Sequence, residues 1–141
     1  MTTLVYRDGI LAADSRGTVN GYITPALDQK VFKLGDGRLL GFTGEANSFC
    51  PFKQWVEDGE MAPAPEMIES RAVVIAKTGP RRIFEGKGWY EERGPFSAWG
   101  SGMAAALAAL YMGATAVEAV RIAIKVDSNS GGRVRWFSVR D

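Results

Sequence analysis

Thr2 carries the most distinctive chemistry in this sequence, because it follows an initiator methionine that cells normally remove. Loss of Met1 would leave a threonine with a side-chain hydroxyl and a free α-amine, which is a nucleophile and a general base in one residue. The sequence contains no histidine and a single cysteine, Cys50. It therefore excludes a Ser-His-Asp triad and a Cys-His pair. Any hydrolytic base must be a lysine, a carboxylate or an amine.

Asp14 is a second candidate, and its position depends on the turn of the first predicted hairpin. This hairpin reverses at Asp8-Gly9. A two-residue loop would place Asp14 opposite Thr3, whereas a three-residue loop would place it opposite Thr2. Only the second register predicts a carboxylate beside the N-terminal residue. The alternative role for Asp14 is to cap the turn that follows the strand.

Lys30 lies on an otherwise apolar face of a predicted strand, which it shares with Phe32 and Leu34. A buried ammonium group needs an anion as its partner. Asp14 is the first candidate for that partner, and Asp127 is the second. The alternative, equally compatible with this segment, is a lysine at a strand end whose amine reaches water.

Asp127 ends a predicted helix, where a carboxylate opposes the helix dipole unless a cation lies nearby. Lys30 or the amine of Thr2 would supply such a cation. The alternative is an exposed cap before a Gly-Gly turn. Ser101 precedes another predicted helix inside a Gly-Ser-Gly turn, where an ordinary N-cap serine is the simpler interpretation.

Hairpins and helices alternate along the sequence. Periodicity predicts a helix within residues 45–58, a nearly all-apolar helix at 103–112 that is buried between layers, and a helix that begins at a capping box over Thr115 and Glu118. Residues 67–70 are predicted to form at most one helical turn. Strands are predicted at residues 3–7, 10–13, 29–34, 38–43, 71–77, 81–85 and 134–139, with one or two more between 88 and 99. This order is typical of an α+β layered domain.

Composition limits the class of protein. The 141 residues are 46% apolar and 23% charged, which predicts one globular domain over residues 1–141. The net charge of +1 favours neither nucleic-acid nor membrane binding. A single cysteine allows no intramolecular disulfide and fits a cytoplasmic protein. We recognise neither a secretion signal nor an apolar run of membrane-spanning length.

The candidate residues lie in short blocks that resemble those of proteasome β-subunits and of the bacterial HslV peptidase, in the same order. The blocks are Thr2-Thr-Leu-Val5, Ala13-Asp-Ser-Arg16, Asp28-Gln-Lys30, Gly41-Phe-Thr-Gly44, Gly100-Ser-Gly102 and Asp127-Ser-Asn-Ser-Gly-Gly132. The resemblance runs across nearly the whole sequence. It implies a threonine peptidase of the N-terminal-nucleophile hydrolase class, with a four-layer αββα sandwich fold.

The resemblance also implies a role for each polar residue. Thr2 would be the nucleophile and its amine the proton acceptor. Lys30 would ease deprotonation of the Thr2 hydroxyl, and Asp14 would hold the lysine. Three further residues would hold and polarise the amine, namely Ser101, Asp127 and Ser130.

The remaining expectations concern the substrate and the partners. A backbone N–H near Gly41 would form the oxyanion hole, and Gly21, Tyr22 and Phe42 are candidate liners of the substrate pocket. No cofactor and no metal are expected. The expected partners are a polypeptide substrate, further copies of the chain in a homo-oligomer and an ATPase unfoldase, whereas nucleic acid and membranes are not expected.

Two departures from the family pattern are visible. The hairpin over residues 2–14 is about four residues shorter, and an even deletion keeps the strand faces in phase. Residues 59–70 leave room for one helix and a stub where the family has two long helices. We therefore expect a reduced helical layer that exposes Phe49, Phe52 or Trp55 and promotes self-association.

Three functions are compatible with the sequence. The first is a proteasome-like or HslV-like threonine peptidase that cleaves peptide bonds through an acyl-enzyme on Thr2. The second is a non-peptidase N-terminal-nucleophile amidohydrolase that acts on a small amide, because a fold does not dictate its substrate. The third is a catalytically silent ring or scaffold subunit. Retention of all six polar site residues favours an enzyme.

Overall fold

The computed structural model describes residues 2–140, except for the side chains of residues 26 and 27. Six strands precede the first α-helix, and four more strands separate it from the other two α-helices. The strands are β1 (Thr3–Arg7), β2 (Ile10–Ala13), β3 (Arg16–Val19), β4 (Tyr22–Leu27), β5 (Val31–Lys33), β6 (Leu39–Gly44), β7 (Met67–Ile75), β8 (Arg81–Gly86), β9 (Gly88–Glu92), β10 (Phe96–Gly100) and β11 (Arg135–Ser138). The helices are α1 (Phe49–Glu57), α2 (Met103–Tyr111) and α3 (Ala116–Val126), and a 3-10 turn at Ala46–Ser48 precedes α1. None of these helices is long and apolar enough to cross a membrane.

Two antiparallel sheets pack against each other through their apolar faces. One sheet has the strand order β10-β1-β2-β11, the other has the order β5-β6-β7-β8-β9, and β3 and β4 form a separate hairpin. Leu4 and Leu11 of the first sheet share one core with Val31, Val73 and Ile83 of the second. Because side chains alternate along a strand, each sheet keeps a second face that other elements can cover.

Helices cover that second face on both sheets. Phe52 of α1 packs edge-on against Phe42 of β6, at 5.9 Å between ring centroids. Val120 of α3 and Leu110 of α2 share a core with Val5 of β1. Burial of one such side chain contributes about 1.5–3 kcal/mol, so these contacts fix where the helices lie on the sheets.

The first hairpin settles the position of Asp14. It turns through Asp8-Gly9 alone, and both residues have positive φ, 52° and 79°, as a type I′ turn requires. The register pairs Leu4 with Ala13 and so places Asp14 opposite Thr3. The chain therefore adopts the two-residue loop rather than the three-residue loop.

Two predicted helical features are wrong. Residues 67–70 belong to β7, because that strand pairs with β6 as far as Ser70 opposite Gly44 and with β8 as far as Met67 opposite Gly86. The helix α2 is not buried between layers: Ala106 is buried, but Tyr111 is 78% exposed. Although nearly all residues of α2 are apolar, only one face of the helix packs against the sheet.

The expected exposure of α1 is also wrong. Phe49 and Phe52 are buried and Trp55 is half-buried, because α1 lies directly on the five-stranded sheet. Phe52 contacts Phe84 of β8 at 4.9 Å between ring centroids. One helix and the aromatic side chains of the sheet are therefore enough to cover this face.

The β3–β4 hairpin is absent from the elements that the sequence predicts. Its turn is Asn20-Gly21, with φ values of 52° and 81°, which is the left-handed pair of a type I′ turn. Val19, Tyr22 and Ile23 beside the turn are exposed. The Asn-Gly dipeptide was therefore a usable hairpin signal, although the flanking segments lack the apolar alternation of a half-buried strand.

Candidate active site

A groove of about 780 Å³ opens beside Thr2. The β3–β4 hairpin, including Gly21, forms one wall, and the segment from Gly44 to Phe49 forms the other. Lys30 lines the groove together with Thr2. The first residue of the described chain therefore faces a cleft large enough for a segment of polypeptide.

Lys30 and Asp14 form a buried ion pair, which we call the lysine pair. Nζ of Lys30 lies 3.1 Å from Oδ1 of Asp14, and it also donates to the carbonyl of Arg16 at 3.0 Å. The two side chains are 3% and 0% exposed. Asp14 thus serves Lys30 as its partner, the first of the two candidates that the sequence offers.

Backbone groups complete the surroundings of Asp14. Its Oδ1 accepts a hydrogen bond from the N–H of Thr3 at 3.0 Å, and its Oδ2 accepts one from the N–H of Gly131 at 3.0 Å. A buried carboxylate needs such donors as well as a cation. The lysine pair is therefore fixed by the two-residue turn of the first hairpin and by the loop after α3.

Ser101, Asp127 and Ser130 form a second group, which we call the carboxylate network. Oδ2 of Asp127 accepts hydrogen bonds from the hydroxyls of Ser101 and Ser130, both at 2.6 Å. The Ser101 hydroxyl also lies 3.4 Å from the carbonyl oxygen of Thr2, and the N–H of Gly102 donates to the same oxygen at 3.3 Å. The carboxylate network therefore lies next to Thr2, on the side where α2 begins and α3 ends.

The charge of Asp127 is stabilised by hydroxyl groups rather than by a lysine. Burial raises the pKa of the Asp127 carboxyl, but hydrogen bonds from Ser101, Ser130 and the N–H of Asn129 outweigh burial, so the pKa falls below its ordinary value of 3.8. Asp127 is thus a carboxylate at neutral pH. Ser101 links this carboxylate to the backbone of Thr2.

The structure brings six of the candidate residues together and leaves three others outside the groove. Gly41 lies in the interior of β6, where a β-carbon would be 2.8 Å from Leu4. Phe42 is fully buried against α1, and Tyr22 is 77% exposed outside the groove lining. The six residues brought together are Thr2, the two members of the lysine pair and the three members of the carboxylate network, and Gly21 lines the groove.

Gly44 is a groove residue that sequence reasoning did not single out. Backbone donors alternate sides along a strand. The N–H of Phe42 bonds the carbonyl of Lys30 on the β5 side, and the N–H of Glu45 bonds that of Glu69 on the β7 side. The N–H of Gly44 therefore points to the β5 side, where β5 has ended and the groove begins.

Gly44 also has no room for a side chain. Its φ is 91°, and a β-carbon would lie 2.2 Å from the carbonyl oxygen of Glu69. Glycine is therefore the residue that lets the end of β6 approach β7 while its N–H faces the groove. Within residues 2–140, no group of three or more His, Cys, Asp or Glu side chains is placed to hold a metal ion.

Antiparallel sheets that share one core, with helices on their other faces, form a fold found in solved structures. The eukaryotic HslV of Trypanosoma brucei matches with a TM-score of 0.69 and 16% identity, over 96% of this chain and 97% of that chain. The chain therefore has the mixed α/β fold of HslV.

A second solved protein has the same fold. The BPH of Thiobacillus denitrificans matches with a TM-score of 0.66 and 20% identity, over 96% of this chain and 95% of that chain. A structure of that BPH in complex with epoxomicin matches with a TM-score of 0.65. No family model matches the sequence, and no curated protein is similar to it at a significant level.

Proposed function

We propose that this protein is a threonine peptidase that cleaves peptide bonds through Thr2 once Met1, which lies outside the described residues, has been removed. One observation carries the proposal: Thr2 and Lys30 line the same groove, and Ser101 of the carboxylate network lies 3.4 Å from the carbonyl oxygen of Thr2, on the fold of HslV. The proposed substrate is a polypeptide, and neither a cofactor nor a metal takes part.

Acylation would begin with attack of the Thr2 hydroxyl oxygen on a peptide carbonyl carbon. The hydroxyl proton passes to the free α-amine of Thr2, directly or through water. Lys30 contributes a fixed positive charge near the hydroxyl, which favours the developing alkoxide. When the C–N bond breaks, the proton passes from the amine to the leaving nitrogen, and the acyl group remains on Thr2 as an ester.

Deacylation would repeat these steps with water. The α-amine takes a proton from water as the oxygen of water bonds the ester carbon. The ester C–O bond then breaks, and the Thr2 oxygen recovers its proton from the amine. The product leaves with a new carboxylic acid group, which then loses its proton to solvent, and Thr2 is ready for another cycle.

The N–H of Gly44 is our candidate donor for the oxyanion that forms in both steps. It faces the groove at the end of β6, whereas Gly41 lies among the apolar side chains between the sheets. A single donor of this kind contributes about a hundredfold or more in rate. The oxyanion site expected near Gly41 is therefore proposed three residues further along the strand.

The carboxylate network would set the protonation and position of the amine. Free α-amines have a pKa of about 7.7–8. Asp127 favours the charged amine, whereas Lys30 favours the neutral amine that acts as a base. These two charges would act on the amine in opposite directions, while the hydroxyls of Ser101 and Ser130 would fix its position.

Intact mass measured before and after treatment with a peptide epoxyketone tests the proposal, because this reagent needs a hydroxyl and an adjacent free amine. We expect loss of Met1 and one stoichiometric adduct on Thr2. A protein that keeps Met1 would favour a catalytically silent ring or scaffold subunit. A protein that has lost Met1 and forms no adduct would favour a non-peptidase amidohydrolase of the same fold. Thr2→Ala is the control, and it should form no adduct.

The finer architecture is also proposed. The packing of helices on both sheets supports one four-layer αββα domain over residues 1–141, with a single helix, α1, in the reduced layer. On the other side, α2 and α3 present an apolar groove that includes Ala108, Met112, Ile122 and Val126, of which Met112 is 88% exposed. We propose that this face contacts a second copy in a cytoplasmic homo-oligomer. Light scattering after size exclusion tests the oligomer, and co-elution tests an ATPase unfoldase partner.

A further inference from the structure

Thr3 contacts both parts of the site at once. Its N–H donates to Oδ1 of Asp14 at 3.0 Å, and its carbonyl accepts from the N–H of Asp14 at 3.2 Å. Its side-chain hydroxyl oxygen lies 2.7 Å from Oγ of Ser130. The residue is completely buried. Thr3 therefore joins the lysine pair to the carboxylate network, one peptide bond after Thr2.

Strand geometry explains how neighbouring threonines come to face different surroundings. Successive side chains of a strand point to opposite faces of the sheet. Leu4 enters the core between the two sheets, and Val5 enters the core under α3. Thr3 shares the face of Val5 and meets the carboxylate network there, whereas Thr2 lines the groove.

The hydrogen bonds of the carboxylate network have a fixed direction. Ser130 has one hydroxyl proton, and at 2.6 Å it donates this proton to the carboxylate of Asp127, the strongest acceptor nearby. The hydroxyl of Thr3 must therefore be the donor to Ser130. Because linked hydrogen bonds polarise one another, this donation makes Ser130 a stronger donor to Asp127.

Gly102 leaves the space that the Thr3 hydroxyl occupies. A β-carbon at position 102 would lie 1.8 Å from Oγ1 of Thr3 and 3.1 Å from Cβ of Ala123. Threonine is also stiff at χ1, because its β-carbon carries two heavy atoms. The hydroxyl is therefore held in one position by its own rotamer and by the backbone packed against it.

We propose that Thr3 is a positioning residue for the reaction: its hydroxyl orients Ser130 and Asp127 toward the amine of Thr2, and its backbone keeps Asp14 in register. This inference rests on the proposed function, because the amine is the group that the carboxylate network would hold. The first residue of a chain is normally among its least ordered parts. The contacts of Thr3 therefore add to the hydrogen bond from the N–H of Gly102 that holds the carbonyl of Thr2.

Two substitutions test the hydroxyl of Thr3 independently of the shape of the side chain. Thr3→Val removes the hydroxyl and keeps the β-branched side chain, whereas Thr3→Ser keeps the hydroxyl and loses the methyl group. We expect Thr3→Val to lower kcat for peptide hydrolysis about tenfold or more while KM stays within about twofold, because a buried hydrogen bond linked to a charge is lost. We expect Thr3→Ser to retain kcat within about threefold of the wild type.

Val5→Ala is the matched control for a loss of stability. Val5 lies on the same strand and the same face as Thr3, and it packs under α3 rather than against the carboxylate network. We expect Val5→Ala to lower the melting temperature at least as much as Thr3→Val does, with kcat within about twofold of the wild type. A kcat that follows the melting temperature across these variants would contradict a positioning role for Thr3.

A carbon-13 NMR titration of the Asp127 carboxyl needs no turnover, so it tests Thr3 even if the proposed function fails. We expect the Asp127 pKa to rise in Thr3→Val and to stay at the wild-type value in Thr3→Ser and Val5→Ala. This pattern in a protein without peptidase activity would support the Thr3 contact and contradict the proposed function. A wild-type titration and a wild-type kcat in Thr3→Val would overturn the inference, and so would a Thr3→Ser variant as impaired as Thr3→Val.

Discussion

The lysine pair and the carboxylate network each surround one ionised group, but they stabilise it in different ways. Asp14 and Lys30 are buried together, with the carboxylate bonded by strand and loop N–H groups. Asp127 is partly exposed, lies in a loop after α3 and is bonded by two hydroxyls. Removing either charge of a buried ion pair is strongly destabilising. Removing one neutral donor from a hydrogen-bonded carboxylate has a smaller effect on stability. We therefore expect the lysine pair to govern stability and activity together and the carboxylate network to govern mainly activity.

The largest effect should come from the residue between the two groups. Thr2→Ala removes the proposed nucleophile, and we expect peptide hydrolysis to fall at least about a thousandfold. The melting temperature should stay close to that of the wild type, because the substitution leaves both the lysine pair and the carboxylate network intact. Hydrolysis of a fluorogenic peptide and thermal circular dichroism check this, with Thr78→Ala, in an exposed turn, as the control. Full activity in Thr2→Ala would exclude the mechanism.

Breaking the lysine pair should affect both activity and folding. Lys30→Ala leaves the Asp14 carboxylate buried without its cation, and we expect a loss of about 3–5 kcal/mol in the free energy of unfolding. Activity should fall nearly as far as in Thr2→Ala. The double variant Lys30→Met with Asp14→Asn should regain part of the stability and none of the activity, because it removes the uncompensated charge while the amide oxygen can still accept a hydrogen bond from a backbone N–H. Urea denaturation and peptide hydrolysis of both variants give this comparison, and regained activity in the double variant would contradict it.

Removing the charge of Asp127 should have a smaller effect, and this effect should distinguish the carboxylate network from the lysine pair. Asp127→Asn keeps the shape of the side chain, and we expect kcat/KM to fall about tenfold to a hundredfold because the amine loses its anionic neighbour. The free energy of unfolding should change by about 1 kcal/mol or less, since the carboxylate is partly exposed. A stability loss as large as that of Lys30→Ala would remove the distinction between the two groups.

The contribution of the Asp127 charge to the free energy of unfolding should depend on pH. The pKa of Asp127 in the folded protein is below its ordinary value of 3.8, because hydroxyl hydrogen bonds outweigh burial. A lowered pKa contributes stability that is fully present above the unfolded-state pKa and is lost as pH falls through the folded-state pKa. The stability difference between the wild type and Asp127→Asn should therefore be constant at neutral pH and shrink below about pH 4. Urea midpoints at pH 7, 4 and 3 measure it, and a difference that grows in acid would contradict it.

The smallest effect should come from an ion cluster outside the site. Glu60 accepts two hydrogen bonds from Arg82, at 2.8 and 2.9 Å, and one from Arg38 at 3.2 Å. These hydrogen bonds, led by that of Arg82, lower the Glu60 pKa. Because the cluster is partly exposed, Glu60→Gln should destabilise by about 1 kcal/mol or less and leave kcat unchanged. Measurable loss of activity in this variant would show that ion clusters far from the groove also affect turnover.

Local signals in the sequence were sufficient for several elements. The capping box over Thr115 and Glu118 begins α3 with both of its hydrogen bonds present. The Asp8-Gly9 dipeptide marks the turn of the first hairpin. These features depend on contacts between residues close in sequence, so the residue types alone predict them.

Features that depend on distant contacts could not be predicted in this way. The sequence predicts a helical stub at residues 67–70, but pairing with β6 at Ser70 and with β8 at Met67 makes them part of β7. The choice between Gly41 and Gly44 for the oxyanion donor required the register of β6 and the point at which β5 ends. Strand alternation identifies Lys30 as a charged residue on an apolar face. Its partner, Asp14, is defined only by the three-dimensional arrangement of the strands.

The pairing of β1 with β10 determines when, during synthesis and folding, Thr2 comes into contact with its neighbouring residues. Thr3 is opposite Gly100 in that pairing, and its hydroxyl meets Ser130. Contacts so distant in sequence form late, because a long stretch of chain must first be synthesised and then closed into a loop. Under the proposed function, a nascent chain would therefore carry Thr2 first and complete the surroundings of Thr2 last. This order of assembly would keep the proposed peptidase inactive until most of its chain has been synthesised and folded.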